Sequence, residues 1–223
     1  QNNEDRDDFL KFIPLPKEKT SLLPGSGINT TYFQPMKVDP NEHPVFTMIG
    51  RLIVEKGVYD YIEAIKIVKK KKPNTHFRLI GELDETHSRS IQKDELDQWL
   101  ADDLIEYVPH LSDVRDAVAT SDVIVLPSYR EGTPRTLLEA GAMGKAMIAT
   151  DVPGCRHVVE DGENGFLCKL QSPKDLAAKM LLYLSLSDEE KNQLSINSRK
   201  LIEEKFDERL VIEEYVKLID QFV

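Results

Sequence analysis

Two carboxylates separated by seven residues, Glu131 and Glu139, and two cations separated by four, Arg51 and Lys56, are the groups in this chain whose types and spacing point to chemistry. Glu131 lies in residues 129–135, Tyr-Arg-Glu-Gly-Thr-Pro-Arg, which lead from an apolar run into a helical pattern carrying Glu139. The free amides that open such a helix, with its macrodipole, form an anion site. Pro134 has no N–H, so Thr133, Arg135 and Thr136 must supply the donors. Carboxylates beside an anion site make sense when one ligand carries both phosphates and hydroxyls, since a carboxylate accepts hydrogen bonds from a vicinal diol. A nucleotide sugar is such a ligand. A competing reading pairs Glu139 with Arg135 at i, i+4, worth about 0.2–0.5 kcal/mol. Spacing leaves both open.

The cations stand in another loop. Residues 50–57, Gly-Arg-Leu-Ile-Val-Glu-Lys-Gly, place Arg51 and Lys56 between glycines, where backbone and cations can approach a diphosphate. An ordinary loop with solvated charges fits the same residues. Other features invite less. Gly154 and the stretch 162–165 read as turns. Residues 25–30, Gly-Ser-Gly-Ile-Asn-Thr, mimic part of a dinucleotide fingerprint without its third glycine or a following helix. Lys69, Lys70, Lys71 and Lys72 close a helix, where cations suit the negative pole. The histidines (His43, His76, His87, His110 and His157) are scattered, so no zinc site is expected. Cys155 and Cys168 are too few for a disulfide framework and read as thiols of a reducing compartment.

These groups need elements to hold them. From Val45 onward, short apolar runs alternate with helical patterns. Strands are expected over 45–50, 76–81, 104–108, 122–127, 146–150 and 165–168. Helices are expected over 58–70, 90–100, 113–119 and 134–143. In the first helix Val58, Tyr61, Ile62 and Ile65 follow i, i+3, i+4, i+7. Strands apolar on both faces, alternating with helices, predict an α/β fold: a Rossmann-like parallel sheet of about six strands flanked by helices. Ligands of such sheets sit at the carboxyl ends of the strands. The last third reads as a helical tail. Ser172 with Asp175, and Ser187 with Glu190, predict capping boxes, the first with Pro173 opening its helix. The final helix carries Val211, Tyr215, Leu218 and Phe222 on one stripe. Before the sheet, residues 5–12 suggest a short helix, and residues 20–35 a strand followed by a Gly- and Pro-rich turn.

Composition excludes several classes. With 223 residues, 40% hydrophobic, the chain is long enough for a good core and too apolar for disorder. No apolar run is long enough to span a membrane. A net charge of −10 argues against a nucleic-acid partner. The chain opens on Gln1, and residues 1–8 have no apolar signal segment, so a start inside a longer protein is expected.

Residues 50–57, followed by 126–168 with Glu131 and Glu139, strongly resemble the glycosyltransferases of family 4. The resemblance runs from Thr20 to about Phe206. It implies a retaining, nucleotide-sugar-dependent enzyme of the GT-B fold. Glu131 and Glu139 match the family's E-x7-E motif, and Arg51 and Lys56 its R-x4-K pair. On this likeness Gly50, Arg51 and Lys56, with Thr133, Arg135 and Thr136, would hold the donor diphosphate. Glu131 would be the catalytic carboxylate facing the donor sugar beside Gly132, and Glu139 would hold the ribose. Gly81, Glu82, Val108, Pro109 and His110 would lie at the nucleobase. The family works without a bound metal, so neither metal nor cofactor is expected. The substrate would be a donor such as a UDP-sugar or GDP-sugar. His157 stands where relatives often carry an acid and receives no role.

The same resemblance divides the chain. Residues 1–40 would be the end of an amino-terminal domain and the interdomain connector. Residues 41–205 would form the nucleotide-sugar-binding domain, and residues 206–223 a helix crossing back to the absent domain. The expected function is donor binding within an enzyme that moves a sugar to an acceptor hydroxyl, in polysaccharide or lipid-linked glycan synthesis. The acceptor glycan would bind through the absent domain, so this piece alone is expected to be inactive. A cytoplasmic place follows by family analogy, with peripheral association of the full-length protein at the inner membrane face. A stand-alone donor-binding subunit, a non-catalytic binding module and a GT-B nucleotide-sugar epimerase are the alternatives.

Overall fold

The computed structural model describes residues 2–23 and 25–220. It opens with a helix, Asn3–Phe12 (α1), capped by the Asn2 side chain, which accepts the Asp5 N–H. The α/β body then runs Val45–Ile49 (β1), Val58–Lys69 (α2), His76–Ile80 (β2), Lys93–Ala101 (α3), Glu106–Val108 (β3), Arg115–Ala119 (α4) and Val123–Leu126 (β4). It continues through Arg135–Ala142 (α5), Ala146–Thr150 (β5), Pro153–Arg156 (α6), Gly165–Cys168 (β6) and Pro173–Ser185 (α7). Asp188–Lys205 (α8) and Glu208–Ile219 (α9) complete it.

The six strands form one sheet in the order β3-β2-β1-β4-β5-β6, and every pairing is parallel. All residues of β1, β4 and β5 are buried, as a sheet covered on both faces requires. Their side chains alternate between two cores. Phe46, Met48, Val123 and Val125 pack under α2 and α7, whereas Ile49, Ile124 and Leu126 pack under α5 and α8. Strand order reverses between β1 and β4, so their following loops diverge and leave a crevice at their carboxyl ends.

Several local expectations are corrected. Residues 20–23 form no strand, because no neighbouring strand pairs with them; the connector instead meets α9. The Ile28 N–H donates to Phe206 O at 2.8 Å, and the Glu208 N–H donates to Ile28 O at 3.0 Å. Helix α3 starts at Lys93 and not at Ser90, since Ser90 bridges to Ile53 and the Ile91 N–H donates to Leu52 O. The Ser187–Glu190 box forms in both directions. The Ser172 box does not, because the Asp175 carboxylate turns back to accept the Lys169 N–H. Pro173 does open α7. Gly154 lies in the short helix α6, which the turn reading missed. On α9 only Val211 of the expected stripe is buried and Tyr215 is half exposed, while Phe222 lies outside the described residues.

The connector is pinned at a buried charge. Asp207, 3% exposed, accepts from the Thr30 hydroxyl and from the Arg209 backbone, Nε and Nη2 donors. These donors hold its carboxyl group well below the usual range, the Arg209 side chain contributing most. A depressed carboxylate stabilises the fold fully above its unfolded pKa of about 3.9, and that stability is lost as pH falls towards the folded value. Urea unfolding should therefore show Asp207→Asn less stable than wild type at pH 7, with the gap closing only on acidification below roughly pH 4. A gap independent of pH would contradict the linkage.

Candidate functional site

The two loops flanking the β1/β4 crevice are locked face to face. After β1 the chain makes one 3-10 turn, Val54–Lys56, and reverses at Gly57 with φ +77°. A Cβ on Gly57 would lie 2.0 Å from the Pro127 carbonyl oxygen, so only glycine allows this approach and this backbone angle together. The Tyr129 N–H donates to Glu55 O at 2.8 Å and the Ser128 hydroxyl to the same oxygen at 3.2 Å.

This contact brings Lys56 and Glu131 together. The Lys56 ammonium donates to Glu131 Oε1 at 2.5 Å, with the side chains 23% and 11% exposed. The pair is half-desolvated, so removing either partner strands the other. From below, α6 abuts the same loop. A Cβ on Gly154 would lie 2.2 Å from Gly132 O and 2.4 Å from Glu131 O.

Helix α5 opens on the same crevice. Its first backbone bonds run from the Leu137 and Leu138 N–H groups to Pro134 O, so Arg135 and Thr136 precede the bonded turn and their amides point out of the helix start. The Thr136 hydroxyl reaches Ile49 O at 3.5 Å, tying α5 to the end of β1. Thr133 Oγ1 is buried and has no hydrogen-bond partner among the described residues. Arg51 is exposed, and among the described residues no carboxylate lies within ion-pair distance of it.

Glu139 sits one helical turn into α5. Arg135 Nε donates to its Oε1 at 2.9 Å, so the i, i+4 pairing considered from sequence does form. The arginine is exposed and the carboxylate largely buried. Burial raises the Glu139 carboxyl group above the usual glutamate range, and Arg135 partly offsets this.

Two adjoining cavities border these groups. One, about 260 Å³, has a floor of Ile49, Ile80, Leu111 and Val114 and a rim of Gly50, Arg51, Gly81, Glu82 and His110. The other, about 480 Å³, has Arg135 and Glu139 on one side and the connector residues Ser26, Gly27 and Asn29 on another. His110, Leu111 and Val114 line both. Val108 and Pro109 line neither. The Val108 carbonyl accepts the Gly81 N–H, its side chain packs on the α5 side of the sheet, and Pro109 is exposed.

Sequence reasoning missed Tyr32, Asp113 and Arg115 at the second cavity's edge. Arg115 lies 3.8 Å over the Tyr32 ring and donates to Asp113, whose carboxyl group falls to about 2 chiefly through that guanidinium. Neither the Leu-Ser-Asp-Val-Arg-Asp stretch after His110 nor the surroundings of Tyr32 marked them. Another cavity, about 640 Å³, opens at the opposite end of the sheet near His43 and His76, away from every residue above. Among the described residues no group of three His, Cys, Asp or Glu side chains is placed to hold a metal. Asp5 and Asp7 share a D-x-D spacing on α1, but they face Arg130 and Lys17 respectively.

Gly154→Ala should force the Glu131–Gly132 backbone to shift and lower the unfolding free energy by about 1–3 kcal/mol in urea titrations. Unchanged stability would mean that the close approach does not constrain the loop.

The curated N,N'-diacetylbacillosaminyl-diphospho-undecaprenol alpha-1,3-N-acetylgalactosaminyltransferase of Campylobacter jejuni is 29% identical over 99% of this chain and 59% of its own length. The chain spans about half to three-fifths of the curated relatives it matches first. Among solved structures, a glycosyltransferase from Rickettsia africae aligns with TM-score 0.87 at 20% identity, over 99% of this chain and 62% of the other. Anabaena Alr3699/HepE, solved in complex with UDP, aligns with TM-score 0.86 at 18% identity, with the same coverage. The sheet and its helices thus match one half of GT-B glycosyltransferase structures. The profile of the family Glycosyl transferases group 1 matches residues 33–201, and the chain belongs to that family.

Proposed function

We propose that this chain is the donor-binding part of a retaining, family 4 glycosyltransferase. The parent enzyme moves a hexose-type sugar from a nucleoside diphosphate to an acceptor hydroxyl in polysaccharide or lipid-linked glycan synthesis. The observation that carries the reading is the Lys56–Glu131 pair, held at the strand-order reversal beside the open amino end of α5. A cation, a carboxylate and free helix amides in one crevice suit a ligand with a diphosphate next to hydroxyls.

Each residue then has a task. Lys56 and Arg51 neutralise the leaving diphosphate with the amides of Thr133, Arg135 and Thr136. Negative charge grows on that group as the glycosidic bond breaks, so donors fixed in advance lower the barrier more than they tighten the ground state. Glu131, released from Lys56, accepts hydroxyls of the donor sugar near the reacting carbon, with Gly132 leaving room. Glu139 takes the ribose diol, exchanging Arg135 for two hydroxyl donors. The smaller cavity, apolar below and polar at its rim, suits a nucleobase stacked beside Gly81 and Glu82 with His110 at its edge. In this reading residues 1–40 and 206–223 belong to the junction with an acceptor-binding domain, which supplies the rest of the cleft. The Campylobacter relative, named for a diphospho-undecaprenol acceptor, and the UDP complex of the Anabaena neighbour support a lipid-linked acceptor and a uridine nucleotide. The full-length enzyme would work on the cytoplasmic side of the membrane that holds such an acceptor.

Calorimetry against UDP-, GDP- and ADP-sugars tests the reading. One class should bind saturably. Lys56→Ala should weaken both the sugar nucleotide and its free diphosphate by roughly tenfold to a hundredfold, the effect of losing a charged hydrogen bond. Glu131→Ala should weaken the sugar nucleotide much more than the free diphosphate. Equal binding by both variants and the original chain would sink the site assignment.

Affinity should also depend on pH. Ribose recognition needs an ionised Glu139, and burial raises its carboxyl group. Binding should therefore weaken on acidification starting at a higher pH than an exposed glutamate, near 4.3, would give, approximately. Glu139→Gln should bind more weakly at neutral pH and lack that step. An unchanged acid limb in Glu139→Gln would remove the ribose role.

A further inference from the structure

The connector carries two glycines, Gly25 and Gly27, that bear on different parts of the molecule. Gly27 faces α9, where a Cβ on it would lie 2.7 Å from Glu208 Cα. The bonds of Ile28 to Phe206 and Glu208, and of Thr30 to Asp207, fix this stretch to the α8–α9 junction. From α8, Arg199 Nη2 donates to Thr30 O at 3.1 Å and Nη1 to Phe33 O at 2.8 Å. Gly25, two residues before Gly27, is buried against the loop after β4 instead. A Cβ on Gly25 would lie 2.8 Å from Thr133 Cβ and 3.0 Å from Thr133 Oγ1 and Cγ2. Its φ of +80° makes the same demand for glycine.

Thr133 depends on such a neighbour. Among the described residues, no backbone–backbone hydrogen bond is made by residues 131–133, and the Thr133 hydroxyl has no partner. Beyond the Lys56–Glu131 pair, the loop is held by close packing: Gly154 beneath Glu131 and Gly132, and Gly25 beside Thr133. Such contacts weaken over a gap of less than 1 Å, so a displacement at Gly25 passes to Thr133. Pro134 follows directly, and its restricted φ leaves little slack between Thr133 and the start of α5. The connector meets the crevice a second time, where Ser26 and Asn29 line the cavity that Glu139 borders.

We propose that Gly25 is a positioning residue: the connector, anchored on α8 and α9, sets Thr133 and with it the diphosphate-binding amides at the start of α5. This rests on the donor reading of those amides. The contact couples the segment that leads into the sheet to the loop that grips the diphosphate, so a shift of one changes the affinity of the other.

Calorimetry of the intact chain with UDP, or with GDP if that binds more tightly, separates positioning from general stability. Gly25→Ala should weaken the nucleotide roughly tenfold, the effect of misplacing one amide donor to a charged group. Gly162→Ala carries the same kind of backbone cost, at φ +84°, with nothing within 4 Å of its Cβ, and should leave affinity unchanged. Thr133→Gly empties the space beside Gly25, so in that background Gly25→Ala should cost less than about twofold. Equal losses from Gly25→Ala in the two backgrounds, or no loss in the original one, would overturn the positioning role. Circular dichroism reports whether each variant folds. If Gly25→Ala does not, Gly25→Asn places the same Cβ against Thr133 in a residue type that tolerates positive φ, and the same two results decide. If the original chain binds neither nucleotide, the donor reading itself fails and the positioning role falls with it.

Discussion

Everything at the crevice depends on how closely the loop after β1 approaches the loop after β4. Gly57 turns with its α-carbon against the Pro127 carbonyl, and Glu55 O collects donors from Ser128 and Tyr129. Two segments more than seventy residues apart in sequence thereby become one surface. The parallel sheet makes this possible, since it places β1 and β4 side by side with their carboxyl ends level. A side chain at position 57 would separate the loops and with them Lys56 from Glu131.

That surface holds opposite charges at short range without a ligand. Lys56 with Glu131 and Arg135 with Glu139 are paired within the protein, so each of these four charges already has a partner. Binding a molecule with phosphates and hydroxyls exchanges these partners and leaves no charge buried alone. The exchange lowers the desolvation cost that a bare ammonium or carboxylate would carry in a half-buried crevice. It also gives the site selectivity, because a ligand with phosphates alone would leave the two glutamates facing anions.

The architecture could be read from the sequence because apolar runs and helical periodicity report burial directly. All six strands and the helix after each of the first four were expected within a few residues. Errors fell where tertiary contacts compete with local signals. Ser90 and Ile91 are taken by the loop after β1, Asp175 turns to Lys169, and residues 20–23 lack a strand to pair with. The site divides in the same way. Lys56 and Glu131 could be named from loop position, but their 2.5 Å contact could not. Tyr32 and Arg115 stayed hidden because they meet only through the fold of the connector.

The central claim is that a nucleoside diphosphate binds in the β1/β4 crevice, and a nitrogen-15 amide titration maps this residue by residue. With UDP or GDP added, the largest saturable shifts should fall on Arg51, Gly81, Thr133, Arg135 and Thr136, around the crevice and the smaller cavity. Shifts centred on His43, His76 and the large cavity at the opposite end of the sheet, or none that saturate, would contradict it.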